Sequence, residues 1–343
     1  MGDVFYMGKV IIGIHGLGNK PAKEILTAWW LQSINEGLRK TGVVTDHFKF
    51  DMVYWADVFY DKPLDPTIDD PENPLYIEEI YAPGPENHIP EPHPIRQKFL
   101  DILEEQLDKI FLNEDLTINF SFISDSIIHA YFKELDSYYA KEYPEDGSLN
   151  RMARDVIRKR AAETIQKYKG EDILVIGHSM GSIIAYDVLT FTIPDIKIDT
   201  FITIGSPLGL PVIIAKIAAE RNIYLPDFTN LKTPPSVQKN WYNFSDLEDR
   251  IALIYNLTNN YDANMNGVKV KNFVVDNDYS INGRANPHKS FGYLRTPVFS
   301  EAIRSFLETR MSKLFKKIVT RLKITLQPVL YRSRLPHRQE VRF

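Results

Sequence analysis

Short apolar runs alternate with longer amphipathic stretches along most of this chain. The runs at 10–14, 172–176 and 199–204 are rich in β-branched residues, and a glycine follows each within two positions, which is typical of buried strands. Further strands are predicted at 51–60, 241–244 and 268–275, and helices at 21–40, 149–168, 180–191 and 298–312. Because strands alternate with helices and each strand is apolar on both faces, the pattern predicts an α/β fold, with a mostly parallel sheet and helices on both faces.

The pattern changes in the segment 61–149. Nine prolines and many acidic residues fall between 61 and 94, which predicts an extended, irregular connection. Amphipathic stretches at 99–111 and 122–143 then predict two helices. We therefore divide the chain into a core formed by 1–60 and 150–309, an acidic, Pro-rich and helical insertion at 61–149, and a C-terminal tail at 310–343.

One junction between a strand and a helix carries a pattern that is typical of a catalytic serine. Residues 177–181 read Gly-His-Ser-Met-Gly. A serine that must project its hydroxyl above a sheet sits on a tight, strained turn, in which side chains two positions before and after it would collide. Gly177 and Gly181 occupy those positions, so the pattern predicts that Ser179 is a nucleophile. The alternative is a glycine-rich turn whose serine is merely hydrogen-bonded.

These residues resemble the α/β-hydrolase superfamily, in its lipase and esterase branch, over 9–60 and 150–308, with 61–150 unmatched. The first strand leads into His15-Gly16-Leu17-Gly18, which is similar to the His-Gly loop of lipases. The resemblance implies an oxyanion hole formed by the backbone N–H groups of Leu17 and Met180, two fixed donors for the charge that develops on the substrate. The loop lacks the Lys-Ser/Thr of a P-loop and the third glycine of a dinucleotide motif, which argues against nucleotide binding.

A serine needs a base, and in this fold the acid and then the base follow it along the chain. Of eight histidines, only His288 and His337 lie well beyond Ser179. His288 falls in the loop between the last predicted strand and the last helix, where the superfamily has its base, whereas His337 lies in the tail. His178 adjoins the serine and is interpreted as a packing neighbour.

Three acidic residues follow the strand predicted at 241–244. Asp249 precedes a short apolar stretch and best fits the position of the acid in similar hydrolases. Asp246 and Glu248 remain alternatives. Asp246 would also suit the start of a helical turn, where its side chain could accept hydrogen bonds from backbone N–H groups.

The resemblance implies a serine hydrolase that cleaves a carboxylic ester, of a lipid or another bulky acyl group, through an acyl-enzyme. Ser179 would attack, His288 would transfer the proton and Asp249 would orient the imidazole; no cofactor or metal is expected. Two alternatives stay open: an acyltransferase with the same triad, and a non-catalytic binding protein on a hydrolase fold. Because such enzymes often cover the serine with a lid, the insertion at 61–149, chiefly 95–143, and the segment 207–240 are candidate lids or caps.

Composition narrows the class of protein. The chain contains no cysteine, which excludes disulfides, thiolate zinc sites and cysteine nucleophiles and favours a reducing compartment. It shows neither a signal-peptide pattern nor an apolar run long enough to span a bilayer. We therefore expect a cytoplasmic protein.

The tail is strongly basic, although the net charge of the chain is −4. Segment 310–343 carries ten Lys or Arg residues against Glu340 alone. Apolar and basic residues at helical spacing over 311–323 predict a helix that could hold the protein peripherally on an anionic membrane. In the alternative interpretation the tail packs on the acidic core. Nucleic-acid binding is not expected, because the tail resembles no known module.

Overall fold

A computed structural model of the chain describes residues 8–42, 48–86, 135, 138–139, 149–220 and 231–308. The helix predicted at 99–111, most of the one at 122–143 and the basic tail lie outside the described residues. By its internal contacts the chain divides into two compact units, residues 1–301 and 302–343. Of the second unit, only residues 302–308 are described.

The strands are β1 (Lys9–Ile14), β2 (Lys49–Val53), β3 (Asp172–His178), β4 (Ile198–Ile204), β5 (Leu231–Lys232), β6 (Val237–Ser245), β7 (Tyr261–Asp262), β8 (Val270–Val274), β9 (Ser280–Ile281) and β10 (Arg284–Ala285). Six of them form one parallel sheet in the order β2-β1-β3-β4-β6-β8. The very short strands pair separately, β5 with β7 in parallel and β9 with β10 as an antiparallel hairpin.

The α-helices are α1 (Lys23–Lys40), α2 (Leu149–Gln166), α3 (Met180–Asp187), α4 (Pro211–Glu220), α5 (Ser290–Arg295) and α6 (Pro297–Glu308). A π-helical turn, Val188–Thr192, continues α3, and 3-10 turns lie at Ala56–Val58 and Leu257–Asn259. Within the part of the chain that the structure describes, none of the helices combines the length and apolar character needed to cross a bilayer.

Strand β1 shows that both faces of the sheet are covered. Ile14 belongs to the hydrophobic cluster that contains Ile157 of α2 and Ile183 of α3. Gly13 points the other way, since a Cβ added there would lie 3.0 Å from the ring of Trp30 in α1. Successive side chains of a strand alternate between faces, so helices pack on each side. The predicted fold class, a parallel sheet with helices on both faces, is confirmed.

Strand β2 is where the prediction from sequence differs most from the structure. The strand predicted over 51–60 ends at Val53. Trp55 then turns inward: its backbone N–H donates to Nε2 of His15 at 3.0 Å, and its indole N–H donates to the His15 carbonyl at 2.9 Å. The apolar pattern beyond Val53 therefore reflects the burial of Trp55, which is 1% exposed, and not a continuing strand.

The insertion is attached to the core at both described ends. Residues 61–86 contain no helix and pair with the core through a single bridge, Leu64 with Pro21, in keeping with the predicted irregular connection. Near the other end, Tyr138 is fully buried and its hydroxyl donates to Asp187 of α3 at 2.9 Å. In the second candidate lid, 207–240, Ile213 and other apolar residues of α4 belong to the hydrophobic core; its residues 221–230 lie outside the described residues.

Candidate active site

The predicted site residues follow the carboxyl ends of four parallel strands. The loop 15–18 follows β1, Ser179 follows β3, Asp249 lies shortly after β6, and His288 lies in the loop between β8 and α5. Because the carboxyl ends of parallel strands share one edge of the sheet, these segments meet there. In open α/β sheets this edge is where ligands bind.

Ser179 occupies a strained turn between β3 and α3. Its φ of 52° and ψ of −126° lie in a region that a residue with a side chain rarely adopts. A Cβ added at Gly177 would lie 2.6 Å from the Cα of Ser182, and one added at Gly181 would overlap the carbonyl oxygen of Ile14. Both obstacles are backbone atoms, so no side-chain movement could relieve them. Sterics thus account for both glycines of the motif.

The structure brings Ser179, His288 and Asp249 together. Nε2 of His288 lies 3.0 Å from Oγ of Ser179, and Nδ1 lies 2.9 and 2.8 Å from the two oxygens of Asp249. A carboxylate can only accept, so Nδ1 carries the proton and Nε2 is free to accept the serine hydroxyl. This is the geometry that removal of the serine proton requires.

The Asp249 carboxylate is fixed by donors on both oxygens. The backbone N–H groups of Ile251 and Ala252 donate to Oδ1 at 2.9 and 3.3 Å. The hydroxyl of Tyr293 donates to Oδ2 at 2.8 Å. With Asp249 only 1% exposed, these donors replace the hydrogen bonds that water would otherwise make.

The two alternative acids do not face His288. Asp246 accepts the backbone N–H groups of Glu248 and Asn277, each at 2.6 Å, so it holds a turn together. Burial raises the pKa of Asp246 to about 6. Glu248 is exposed. Of the three candidates it is Asp249 that meets the imidazole, while the other candidate base, His337, lies outside the described residues.

His178 does more than the packing role expected of it. Its Nε2 donates to the backbone carbonyl of His288 at 2.8 Å, and the two rings lie 4.9 Å apart. Desolvation, with a further contribution from His288, lowers the pKa of His178 well below its ordinary value, so the ring is neutral. The contact joins residues 110 positions apart, a pairing that no local pattern could indicate.

The loop after β1 is organised around the buried His15. Its Nδ1 donates to the Gly16 carbonyl at 2.8 Å, while its Nε2 accepts the N–H of Trp55. Burial lowers the pKa of His15 to about 3, so the ring is neutral. Because a trans peptide holds its C=O and N–H on opposite sides, this bond turns the N–H of Leu17 away from His15. Met180 begins α3, where N–H groups have no partner within the helix.

A cavity of about 500 Å³ opens beside Ser179 and His288, within the range typical of small-molecule sites. Its apolar lining includes Leu26, Trp29, Trp30, Tyr76, Ile77 and Phe291, and its polar lining includes Lys20, Glu78, Glu79, Asn286 and Lys289. Within the described ranges no group of three or more His, Asp or Glu residues is placed to hold a metal ion.

One wall of the cavity comes from the first part of the insertion, upstream of the residues 95–143 that were the chief candidate for a lid. We call residues 64–84 the strap. At one end the N–H of Leu64 donates to the carbonyl of Lys20 at 2.9 Å, beside the loop that follows β1. Further along, Glu79 accepts from Asn286 at 2.6 Å and from Lys289 at 2.9 Å, both on the loop that carries His288. The strap thus joins two loops of the site.

Comparison with known proteins agrees with this architecture. Residues 126–233, roughly a third of the chain, match the family model of the PGAP1-like alpha/beta domain, a family of the α/β-hydrolase superfamily. The match confirms the resemblance inferred from the sequence. It begins inside the segment that the resemblance left unmatched and contains Ser179, but it ends before Asp249 and His288. A search of curated proteins finds no match.

Proposed function

We propose that this protein is a serine esterase that hydrolyses a carboxylic ester with a bulky apolar acyl group. The observation that carries the proposal is the continuous set of contacts from Asp249 through His288 to Ser179, beside a cavity of about 500 Å³. A buried carboxylate, an imidazole with Nδ1 toward that carboxylate and Nε2 toward the serine, and a serine on a strained turn are the groups that acyl transfer to serine requires.

In the first half-reaction, Oγ of Ser179 forms a bond to the ester carbonyl carbon while Nε2 of His288 takes the hydroxyl proton. The oxygen of the tetrahedral intermediate becomes negative and is stabilised by the N–H groups of Leu17 and Met180. The bond to the leaving oxygen then breaks, and His288 returns the proton to it. An alcohol departs and an acyl-enzyme remains.

In the second half-reaction, water replaces the alcohol. His288 takes a proton from the water as its oxygen bonds to the acyl carbon, and the bond to Oγ then breaks as the proton returns to Ser179. Asp249 stabilises the imidazolium that exists in both halves and stays ionised throughout. The products are a carboxylic acid and the free serine.

The lining of the cavity favours an apolar acyl group. Trp29 of α1 is partly exposed and borders the cavity, as do the more deeply buried Trp30, Phe291 and Ile77 of the strap. Burying apolar surface stabilises a complex by about 25 cal/mol per Å², so a substrate with a long or branched acyl chain would bind better than an acetyl ester. The polar groups on the strap and on the loop of His288 suit the alcohol part.

Replacing Ser179 by Ala tests the proposal directly. Activity on a panel of p-nitrophenyl esters should fall by about 10⁶-fold in kcat, and labelling by a fluorophosphonate probe should disappear. Ser236→Ala is the matched control: Ser236 is also buried, but it precedes the amino end of β6, at the opposite edge of the sheet from the site, and its hydroxyl donates to the Leu189 carbonyl. A Ser179→Ala variant that kept more than about a tenth of the activity would contradict the proposed function.

A further inference from the structure

Tyr293 connects the carboxylate of the site to the end of strand β6. Its hydroxyl lies 2.8 Å from Oδ2 of Asp249 and 2.9 Å from the backbone nitrogen of Asp246. The ring is fully buried and does not line the cavity. Tyr293 lies in α5, five residues after His288, so one short segment provides two of the donors to the same carboxylate.

The direction of both hydrogen bonds follows from the groups involved. An amide N–H can only donate, so the Tyr293 oxygen accepts from Asp246. An ionised carboxylate can only accept, so the single phenolic proton points at Asp249. Burial, and then the charge of Asp249, raise the pKa of Tyr293 well above its ordinary value, so the hydroxyl keeps that proton.

The side chains of Asp249, His288 and Tyr293 meet beside Gly205. A Cβ added at Gly205, directly after β4, would lie 2.9 Å from Oδ2 of Asp249, 3.2 Å from Nδ1 of His288 and 3.2 Å from Cε2 of Tyr293. Gly205 has a φ of +53°, which favours glycine. Glycine at this position lets the carboxylate, the imidazole and the phenol come together there.

We propose that Tyr293 is a positioning residue for the reaction: its hydroxyl holds Asp249 and moderates how strongly the carboxylate attracts the Nδ1 proton of His288. The proposal rests on the proposed hydrolase function. A donor to Oδ2 draws negative charge from the carboxylate and competes with the imidazole for it. Without that donor, Asp249 would stabilise the imidazolium more strongly and would be held less firmly.

The sign of the effect on pH dependence follows. His288 must be neutral to act as a base, so the acid limb of the kcat/KM profile marks its loss of a proton in the free enzyme. In Tyr293→Phe the protonated imidazole is favoured, and the acid limb should move to higher pH by about half a unit. We also expect kcat to fall by about tenfold, as when an outer partner of a functional group is removed, with little change in KM.

Tyr261→Phe is the matched control for this variant. Tyr261 is also buried, and its hydroxyl donates to the backbone carbonyl of Leu208 at 2.8 Å. We expect its acid limb to stay at the wild-type pH. A second probe keeps the fold intact: 3-fluorotyrosine at position 293 is a more acidic phenol and a stronger donor, so it should move the acid limb to lower pH, opposite to Tyr293→Phe.

Titration of the His288 imidazole by NMR provides a readout that needs no turnover. The midpoint of this titration should move to higher pH in Tyr293→Phe and to lower pH in the fluorotyrosine protein, as the acid limb does. If Tyr293→Phe and the fluorotyrosine protein both titrate as the wild type does, the proposal is wrong, whatever happens to kcat. If Tyr293→Phe fails to fold, the fluorotyrosine protein alone decides. An active Ser179→Ala variant would instead overturn the proposed function and leave the NMR result intact.

Discussion

Replacing Asp249 by Asn changes a single atom and reverses the hydrogen bonding of the site. The amide oxygen would stay at Oδ1, where the N–H groups of Ile251 and Ala252 need an acceptor. The NH₂ group would then stand at Oδ2 and face His288 and Tyr293, both of which donate there in the native protein. The imidazole can meet an NH₂ group only by losing its Nδ1 proton.

The size of the effect follows from that tautomer. With its proton on Nε2, the ring presents a donor to the Ser179 hydroxyl, 3.0 Å away, and can no longer accept the serine proton. The same change in a serine protease triad lowers kcat by about 10⁴-fold, which corresponds to about 5.5 kcal/mol of the activation barrier. We expect a loss of this order, with KM within about threefold of the wild-type value.

The assay is steady-state hydrolysis of a p-nitrophenyl ester, with thermal unfolding to confirm that each variant folds. Asp246→Asn is the control, because the Asp246 carboxylate accepts from the backbone N–H groups of Glu248 and Asn277 and the imidazole of His288 meets Asp249 instead. Its kcat should stay within about tenfold of wild type. If Asp246→Asn lost activity and Asp249→Asn kept it, the assignment of the acid would be refuted.

Three other outcomes test further parts of the structure. Burial raises the pKa of Asp246 to about 6, from about 4 in an unfolded chain. Between about pH 4 and about pH 6 the Asp246 carboxyl is therefore protonated in the folded protein and ionised in the unfolded chain. This group's contribution to the free energy of unfolding therefore falls by about 3 kcal/mol as pH rises from about 4 to about 6, and urea unfolding of Asp246→Asn should lack this loss; equal pH dependence in both proteins would refute the reasoning. Ile77→Trp should fill the cavity and shift preference toward short acyl chains, measured as kcat/KM across an ester series, whereas an unchanged series would show that the strap does not contact the acyl group. Gly205→Ala should lower kcat by about 10²-fold through displacement of the triad groups, and activity near wild type would contradict the close packing of these groups against Gly205.

The parts of the site that depend on local rules could be predicted from the sequence. The strand, turn and helix around Ser179 can each be recognised from a pattern of ten residues or fewer, and the paired glycines follow from sterics alone. His288 needed more, namely the order of triad residues in a resembling fold.

The choice between Asp246 and Asp249 could not be settled in the same way. Both are acidic, both follow β6, and both are buried. They differ in their hydrogen-bond partners. The backbone N–H of Asn277, in a later loop, donates to Asp246, whereas the imidazole of His288 donates to Asp249. Tyr293 is hidden for a related reason, since a lone tyrosine in an apolar stretch looks like core. Side-chain partners far apart in sequence leave no periodic signal.

The structure of the strap also depends on partners far away in the sequence. A segment rich in proline and acids has no period, so its sequence indicates only an irregular connection. Its order comes from groups on the core: the Tyr279 hydroxyl and the Arg295 guanidinium donate to the carbonyls of Ile80 and Ala82, and Glu36 accepts the N–H of Gly84. Backbone groups that lack a strand or helix must find such partners when they leave water. Since the strap lines the cavity and lies outside the family match, we expect the choice of substrate to depend in part on residues that the family resemblance does not describe.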